Sequence, residues 1–364
     1  MTPGTAETAS VVGSSLRIGT RASDLALTQS GQVGEALVAG TDHAVELVHV
    51  STRGDRDRIS PLAQIGGTGV FVTAVRQALL DEQVDVVVHS CKDLPTAPLE
   101  EITLACYPVR EDPRDALCAR DGLTLAELPA GAKVGTGSPR RAAQLLRARP
   151  DLTVLGIRGN VETRLNRALG PDADLDAVVL AASGLRRVGR DASISELLDP
   201  SVMLPAPAQG ALAVEVTTAS LATGPWFAER LDAVDDPATR AAVTAERALL
   251  RTLEAGCSAP VAAYAELEHP ALENPALENS ALENSALENS ALANGESAGT
   301  VLRLRALAIR TDGSHVVEGE ARVVLDLAAD QLSGAGSVPA ELGAELAADL
   351  LERGAGEILA EAKA

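Results

Sequence analysis

Arginines recur in this chain wherever a short apolar run gives way to a helical pattern. Arg140 and Arg141 follow the turn Gly135-Thr136-Gly137-Ser138; Arg158 and Gly159 close another apolar run, with Arg164 one helical step on. Arg186 and Arg187 lie further along the same stretch, and Arg21 with Ser23 repeats the junction near the N-terminus. A helix N-terminus presents free N–H groups and partial positive charge, so it favours anions. Arginine adds planar, two-pronged binding of carboxylate or phosphate. One surface arginine is usually just solvated. Three such junctions in a chain of formal net charge -20 point instead to a polyanionic small molecule held between two α/β lobes.

Two further residues could do chemistry. Asp93 follows an apolar run in His89-Ser90-Cys91-Lys92-Asp93-Leu94-Pro95. A carboxylate there can hold N–H or cationic groups and move protons; the plainer reading is a turn aspartate paired with Lys92. Cys257 lies in Glu254-Ala255-Gly256-Cys257-Ser258-Ala259-Pro260, among small residues just past a helical stretch. Such a thiol is accessible as a nucleophile or attachment point, or is incidental. Cys91, Cys106 and Cys118 lie in apolar runs and read as small core residues. The cysteine spacing is neither CxxC nor zinc-like, and the five histidines form no metal motif.

The elements that must position these residues alternate. Strands are expected at Leu16–Thr20, Val45–Val50, Asp85–Ser90, Asp115–Ala119, Lys133–Thr136, Thr153–Ile157, Ala177–Ala181 and Ala211–Val216. Helices are expected at Ser23–Val38, Gly69–Leu80, Ser138–Ala148 and Asp236–Leu253, with Ser23 or Asp24, Ser138 and Asp236 as caps. Pro139 and Pro237 suit the first helical turn, and Gly256 reads as a glycine stop. This rhythm predicts an α/β fold of two lobes with mainly parallel sheets. Ala211–Val216 is placed to return to the first sheet. Strands at Val301–Ile309 and His315–Leu325 and a helix at Glu341–Ala360 predict a small C-terminal α+β domain.

The expected limits are 16–112 with 208–233 for domain 1, 113–207 for the Arg-rich domain 2 and 234–364 for domain 3. Residues 1–15 read as a disordered tail without the basic and apolar regions of a secretion signal. Residues 271–294, four ALEN units and one ALAN, repeat every five residues and fit neither helix nor strand. They read as a flexible surface insertion.

With 364 residues and 46% hydrophobic residues the chain can bury real cores, but aromatics at 1% mean cores of Ala, Val and Leu. The acidic charge argues against nucleic acid. No apolar run approaches the ~20 residues of a membrane helix. A cytoplasmic protein with no membrane partner is expected.

Across these features, GTRASDLALTQ, TRGDR, GGTGVFV, HSCKDLP, REDPRDAL, VGTGSPRR, IRGNVETRL, LPAPAQGALAVE, TAERALLRTLEAGCSAPV and ERGAGEIL occur in order from Leu16 onward. In these the chain resembles the hydroxymethylbilane synthase (porphobilinogen deaminase) family. The resemblance implies two lobes like those of periplasmic binding proteins, a monomeric transferase, and a dipyrromethane cofactor joined to Cys257 by a thioether. It implies stepwise condensation of four porphobilinogen molecules and hydrolytic release of hydroxymethylbilane, in haem and other porphyrin biosynthesis. Asp93 matches the catalytic aspartate. Lys92, Thr136, Ser138, Arg140, Arg141, Arg158, Gly159, Arg164 and Gln209 match cofactor contacts. Arg21, Ser23, Phe71, Arg158 and Arg187 match substrate contacts. The chain departs from the family at Gln64 and Thr68, where many members carry lysines.

Three rivals fit less well. A two-lobed anion-binding protein would carry an export signal and has no use for Cys257. A ligand-sensing regulator would need a DNA-binding helix pair. A cysteine hydrolase would need a histidine partner for Cys257.

Overall fold

The computed structural model describes residues 15–50, 72–256, 259–268, 300–327 and 332–363. Residues 1–14, Gln64, Thr68, Phe71, Cys257 and the 271–294 repeat lie outside the described residues.

The first sheet contains β1 (Leu16–Thr20), β2 (Val45–His49), β3 (Val86–Ser90), β4 (Ile102–Cys106) and β10 (Leu212–Thr217), in the order β2-β1-β3-β10-β4. The second contains β5 (Asp115–Ala119), β6 (Lys133–Thr136), β7 (Thr153–Gly156), β8 (Ala177–Ala181) and β9 (Glu196–Leu197), in the order β7-β6-β8-β5-β9. The two lobes share one plan. In each, four strands point the same way, and the strand that arrives straight after a crossover from the other lobe lies antiparallel to its neighbours. Those arriving strands are β5, after residues 107–114, and β10, after residues 198–211. Two crossovers therefore join the lobes, and β10 does return to the first sheet.

Strands buried on both faces need continuous apolar runs. Val86 and Val87 in β3 and Ala177, Val178 and Val179 in β8 are all fully buried. Local signals set the helices. Ser23, Ser138 and Asp236 cap helices Asp24–Val38, Pro139–Ala148 and Pro237–Thr252, each side-chain oxygen accepting from a backbone N–H three residues on.

The third sheet is antiparallel: β11 (Val261–Glu268), β12 (Thr300–Ile309) and β13 (Val316–Leu325). Its residues alternate between two faces. Val261, Ala263, Ala265, Leu302 and Leu304 pack with Leu249, Leu346 and Leu350 from helices Pro237–Thr252 and Val338–Glu352. Ala262, Leu307 and Ile309 face the second lobe, against Ala143 and Leu204.

Three expectations need correction. The stop after helix Pro237–Thr252 is Glu254, not Gly256: Glu254 takes the left-handed conformation at φ 49°, and Ala255 N–H reaches back to the Leu250 carbonyl at 3.2 Å. The closing helix is two helices, Val338–Glu352 and Ala355–Lys363, broken at Gly354 with φ 100°. Three strands join the expected set, β4 in the first sheet, the short β9 in the second and β11 in the third. Among the described residues no helix is long and apolar enough to cross a membrane. The same residues contain no group of three or more His, Cys, Asp or Glu able to hold a metal. Cys91, Cys106 and Cys118 are buried free thiols.

Candidate active site

The site grows from one carboxylate. Asp115 opens β5 within the otherwise apolar run Asp115–Ala119 and is fully buried. A buried carboxylate demands a cation. It has two, both from the first turn of helix Pro139–Ala148. Arg140 Nη2 donates to it at 2.8 Å, and Arg141 donates through Nε at 2.9 Å and Nη2 at 2.6 Å. Burial pushes the Asp115 carboxyl up, but the two guanidiniums outweigh burial and hold it well below the usual carboxylate range. Arg140 Nη1 also donates to the Leu204 carbonyl at 2.6 Å, and Arg141 Nη1 to the Val179 carbonyl at 3.2 Å.

Gln209 joins this pair to the first lobe. It lies in the second crossover and is fully buried. Its amide nitrogen donates to Asp115 at 2.7 Å and to the Pro113 carbonyl at 2.8 Å. Its amide oxygen accepts from Lys92 Nζ at 3.1 Å and Arg141 Nη2 at 3.3 Å. Lys92 belongs to the first lobe, in the single 3-10 turn Cys91–Asp93 that follows β3. Burial and then the nearby Arg141 lower the Lys92 ammonium to about 8. Asp93, beside it, is exposed and makes no ion pair with Lys92 or any other described residue. The turn-pair reading of Asp93 is therefore not what the structure contains, and its carboxylate is not buried.

Arg164 reaches the same space from helix Val161–Leu169. Its Nε donates to the Gly159 carbonyl at 2.8 Å, while its terminal nitrogens have no hydrogen-bond partner among the described residues. Burial, Arg141 and Arg158 lower its pKa, with Asp93 acting against them. Arg158 is exposed at the junction after β7, beside Gly159, whose φ of 111° needs glycine. Thr136 is buried at the end of β6, and its Oγ accepts from Ser138 N–H at 3.2 Å. Arg187 Nη2 donates to the Gly210 carbonyl at 2.8 Å, leaving its Nε buried without a partner among the described residues; the Arg140 Nε is in the same state. Ser23 serves as a helix cap, and Arg21 is half-buried after β1.

Lys92, Ser138 and Arg140 line a small, partly open cavity with Ala206, Pro207, Gly256 and Ala259. Gly256 and Ala259 flank the Cys257-Ser258 segment. The cavity thus brings together the first lobe, the second lobe, a crossover and the third unit. Lys92 lies within electrostatic reach of Arg140 and Arg141, and Arg164 within reach of Arg141 and Arg158, with Asp93 and Asp115 acting against them. This concentration of positive charge, with the Arg140 Nε buried and unpartnered among the described residues, fits a ligand bearing several carboxylates.

Sequence reasoning missed Asp115, Arg110 and Glu246. Glu246 is fully buried on helix Pro237–Thr252; it accepts from Arg110 Nη1 at 2.7 Å, from Ala265 N–H at 2.7 Å and from Ala208 N–H. It thereby pins both crossovers to the third sheet. A signal existed for each carboxylate. Asp115 is a charge inside an apolar strand, and Glu246 shares the helical stripe of Ala242, Leu249 and Leu250.

Comparison with known proteins agrees with this geometry. The family described as porphobilinogen deaminase, dipyromethane cofactor binding domain, matches residues 16–223, and porphobilinogen deaminase, C-terminal domain, matches residues 240–277. The porphobilinogen deaminase of Thermobifida fusca is 50% identical over 348 residues, covering 96% of this chain and 97% of that protein. That of Cutibacterium acnes is 47% identical over 354 residues, covering 95% and 97%. Among solved structures, the immunogenic lipoprotein A of Vibrio vulnificus is 11% identical with a TM-score of 0.37, covering 60% of this chain and 94% of that one.

Proposed function

The chain belongs to the porphobilinogen deaminase family, and on that premise we propose that the cavity between its lobes is where porphobilinogen units are joined. The enzyme is a transferase of tetrapyrrole biosynthesis that uses a dipyrromethane cofactor. It condenses four porphobilinogen molecules, releasing ammonia at each addition, and frees hydroxymethylbilane by hydrolysis.

One observation carries the reading: the neighbours of Cys257, Gly256 and Ala259, line the same cavity as Lys92, Ser138 and Arg140. A group attached at Cys257 is proposed to extend into the cavity that Gly256 and Ala259 help to line. When bound, dipyrromethane supplies the electron-rich pyrrole carbon at which the chain is extended. Lys92, Thr136, Ser138, Arg140, Arg141, Arg158, Gly159, Arg164 and Gln209 would hold it. Arg164 has unused donors for carboxylates, and Lys92 adds a charge beside the Asp115 pair. Arg141 and Gln209 act indirectly, because the protein already uses their donors. Each porphobilinogen brings an acetate and a propionate, so demand for cations grows with every addition. Arg21, Ser23, Phe71, Arg158 and Arg187 are proposed to meet the incoming substrate.

Asp93 is proposed as the catalytic residue. Its carboxylate, unpaired among the described residues, stands beside the cluster, placed to stabilise positive charge that develops on the substrate as ammonia leaves. Tethering at Cys257 makes each addition effectively intramolecular. We assign the three sheets to domains 16–112 with 208–233, 113–207 and 234–364. We propose a cytoplasmic monomer, and the net charge of -20 favours a small-molecule partner over nucleic acid or an anionic membrane.

The test is intact mass with peptide mapping. Cys257→Ser should lose the dipyrromethane mass and most activity, while Asp93→Asn should keep the mass and lose activity by orders of magnitude. An adduct on any other peptide, or near-normal turnover of Asp93→Asn, refutes the corresponding assignment.

A further inference from the structure

Asp93 sits in a three-residue turn that makes few bonds of its own. Inside the turn, Leu94 N–H donates to the Cys91 carbonyl at 3.1 Å. Outside it, Cys91 N–H donates to the Ala211 carbonyl at 3.0 Å and Lys92 Nζ to Gln209, and a further support comes from another domain. Arg247, half-buried on helix Pro237–Thr252, donates through Nη1 to the Leu94 carbonyl at 3.2 Å and through Nη2 to the Pro95 carbonyl at 2.7 Å. Its guanidinium also lies against the thiol of fully buried Cys91. One side chain thus grips the main chain just after Lys92-Asp93 and the side chain just before it. A planar fork with separate donors suits two adjacent carbonyls; an ammonium is a single point.

The helix that carries Arg247 is itself anchored. The preceding residue, Glu246, holds Arg110, Ala208 and Ala265. A few residues further on, the helix ends at Leu253 and the chain passes into Gly256 and the Cys257 segment. Arg247 therefore ties the turn that bears Asp93 to the helix that leads to Gly256. We propose that Arg247 is a positioning residue that holds the Asp93 turn against helix Pro237–Thr252 through the Leu94 and Pro95 carbonyls. This rests on the reading of Asp93 as catalytic and Cys257 as the attachment point.

A misplacement of about 1 Å can cost about a hundredfold in rate, so losing the fork should act on kcat. In the holoenzyme, Arg247→Gln should lower kcat by about tenfold to a hundredfold, with KM for porphobilinogen nearly unchanged and the dipyrromethane mass retained. Arg247→Lys should recover part of the loss, and it carries the same test if the glutamine variant does not fold. Combined with Asp93→Glu, which already moves the carboxylate, Arg247→Gln should add little further loss. Unchanged kcat in Arg247→Gln, or a loss that multiplies in full with that of Asp93→Glu, would overturn the proposal. Asp93→Asn, run in parallel, separates the two ideas. Its inactivity beside a normal Arg247→Gln refutes the positioning role alone, whereas its normal turnover refutes the underlying site.

Discussion

Arg141 Nη2 stands 2.6 Å from Asp115 Oδ1, deep under the cavity, while Arg140 Nη2 takes the other oxygen at 2.8 Å. One carboxylate thus orders two guanidiniums and leaves a net positive charge. Asp115 is the first residue of β5 after a crossover, so the same bonds lock the second lobe's helix Pro139–Ala148 to the hinge. Removing one partner of a buried pair costs about 3–5 kcal/mol, because the other charges stay uncompensated. Asp115→Asn should therefore lower the urea midpoint strongly. A loss under about 1 kcal/mol would show that the arginines find other partners.

Lys92 offers a pH test. Burial and the neighbouring Arg141 bring its ammonium down to about 8. Below that pH it is charged and favours carboxylates; as pH rises through about 8 the charge is lost. The kcat/KM profile, which reports the free enzyme, should fall on the alkaline side near that value. A guanidinium at this position stays charged, so Lys92→Arg should move the limb upward. An identical limb in the variant would assign it to another group.

Gly313 reports on how the third sheet meets the second lobe. Its φ is 77°, and a Cβ there would lie 2.7 Å from the Ala143 carbonyl oxygen and 2.8 Å from Arg147 N, both on helix Pro139–Ala148. Gly122 has a similar φ of 71° with nothing within 4 Å. Gly122→Ala should lose only the backbone cost, about 1 kcal/mol. Gly313→Ala should lose a further amount of about 1–3 kcal/mol from the clash. Equal melting temperatures for the two variants would show that the hairpin shifts freely.

Arg158 is exposed at its junction. If it binds substrate carboxylates with both prongs, Arg158→Lys should keep the fold and the dipyrromethane mass yet slow elongation. Partly extended enzyme complexes should then accumulate in native mass spectra. Wild-type kinetics would return Arg158 to the solvated surface.

The sequence alone determined what depends on near neighbours. Ser23, Ser138 and Asp236 were legible as caps because each bond spans three residues. Eight strands of the two lobes were legible because runs such as Val86–Ser90 and Ala177–Ala181 are apolar in themselves, whereas β4 and β9 were not. The cleft arginines were legible as a group through their place at strand-to-helix junctions. Their separate fates were not. Arg140 and Arg141 are spent on Asp115, 25 and 26 residues away, while Arg164 keeps donors that no described residue uses. Gln209 resembled a cleft residue but is buried as the link between lobes, 117 residues from Lys92. Glu246 and Arg247 look alike as charged residues on a helix, yet one is sealed among three domains and the other spans 152 and 153 residues to the Asp93 turn. Even the helix stop fell to Glu254, although Gly256 is the residue free to take that conformation. Local pattern sets which backbone conformation a segment adopts. Only the assembled fold decides which charges lose water, and a charge that loses water must find its partner wherever the chain brings one.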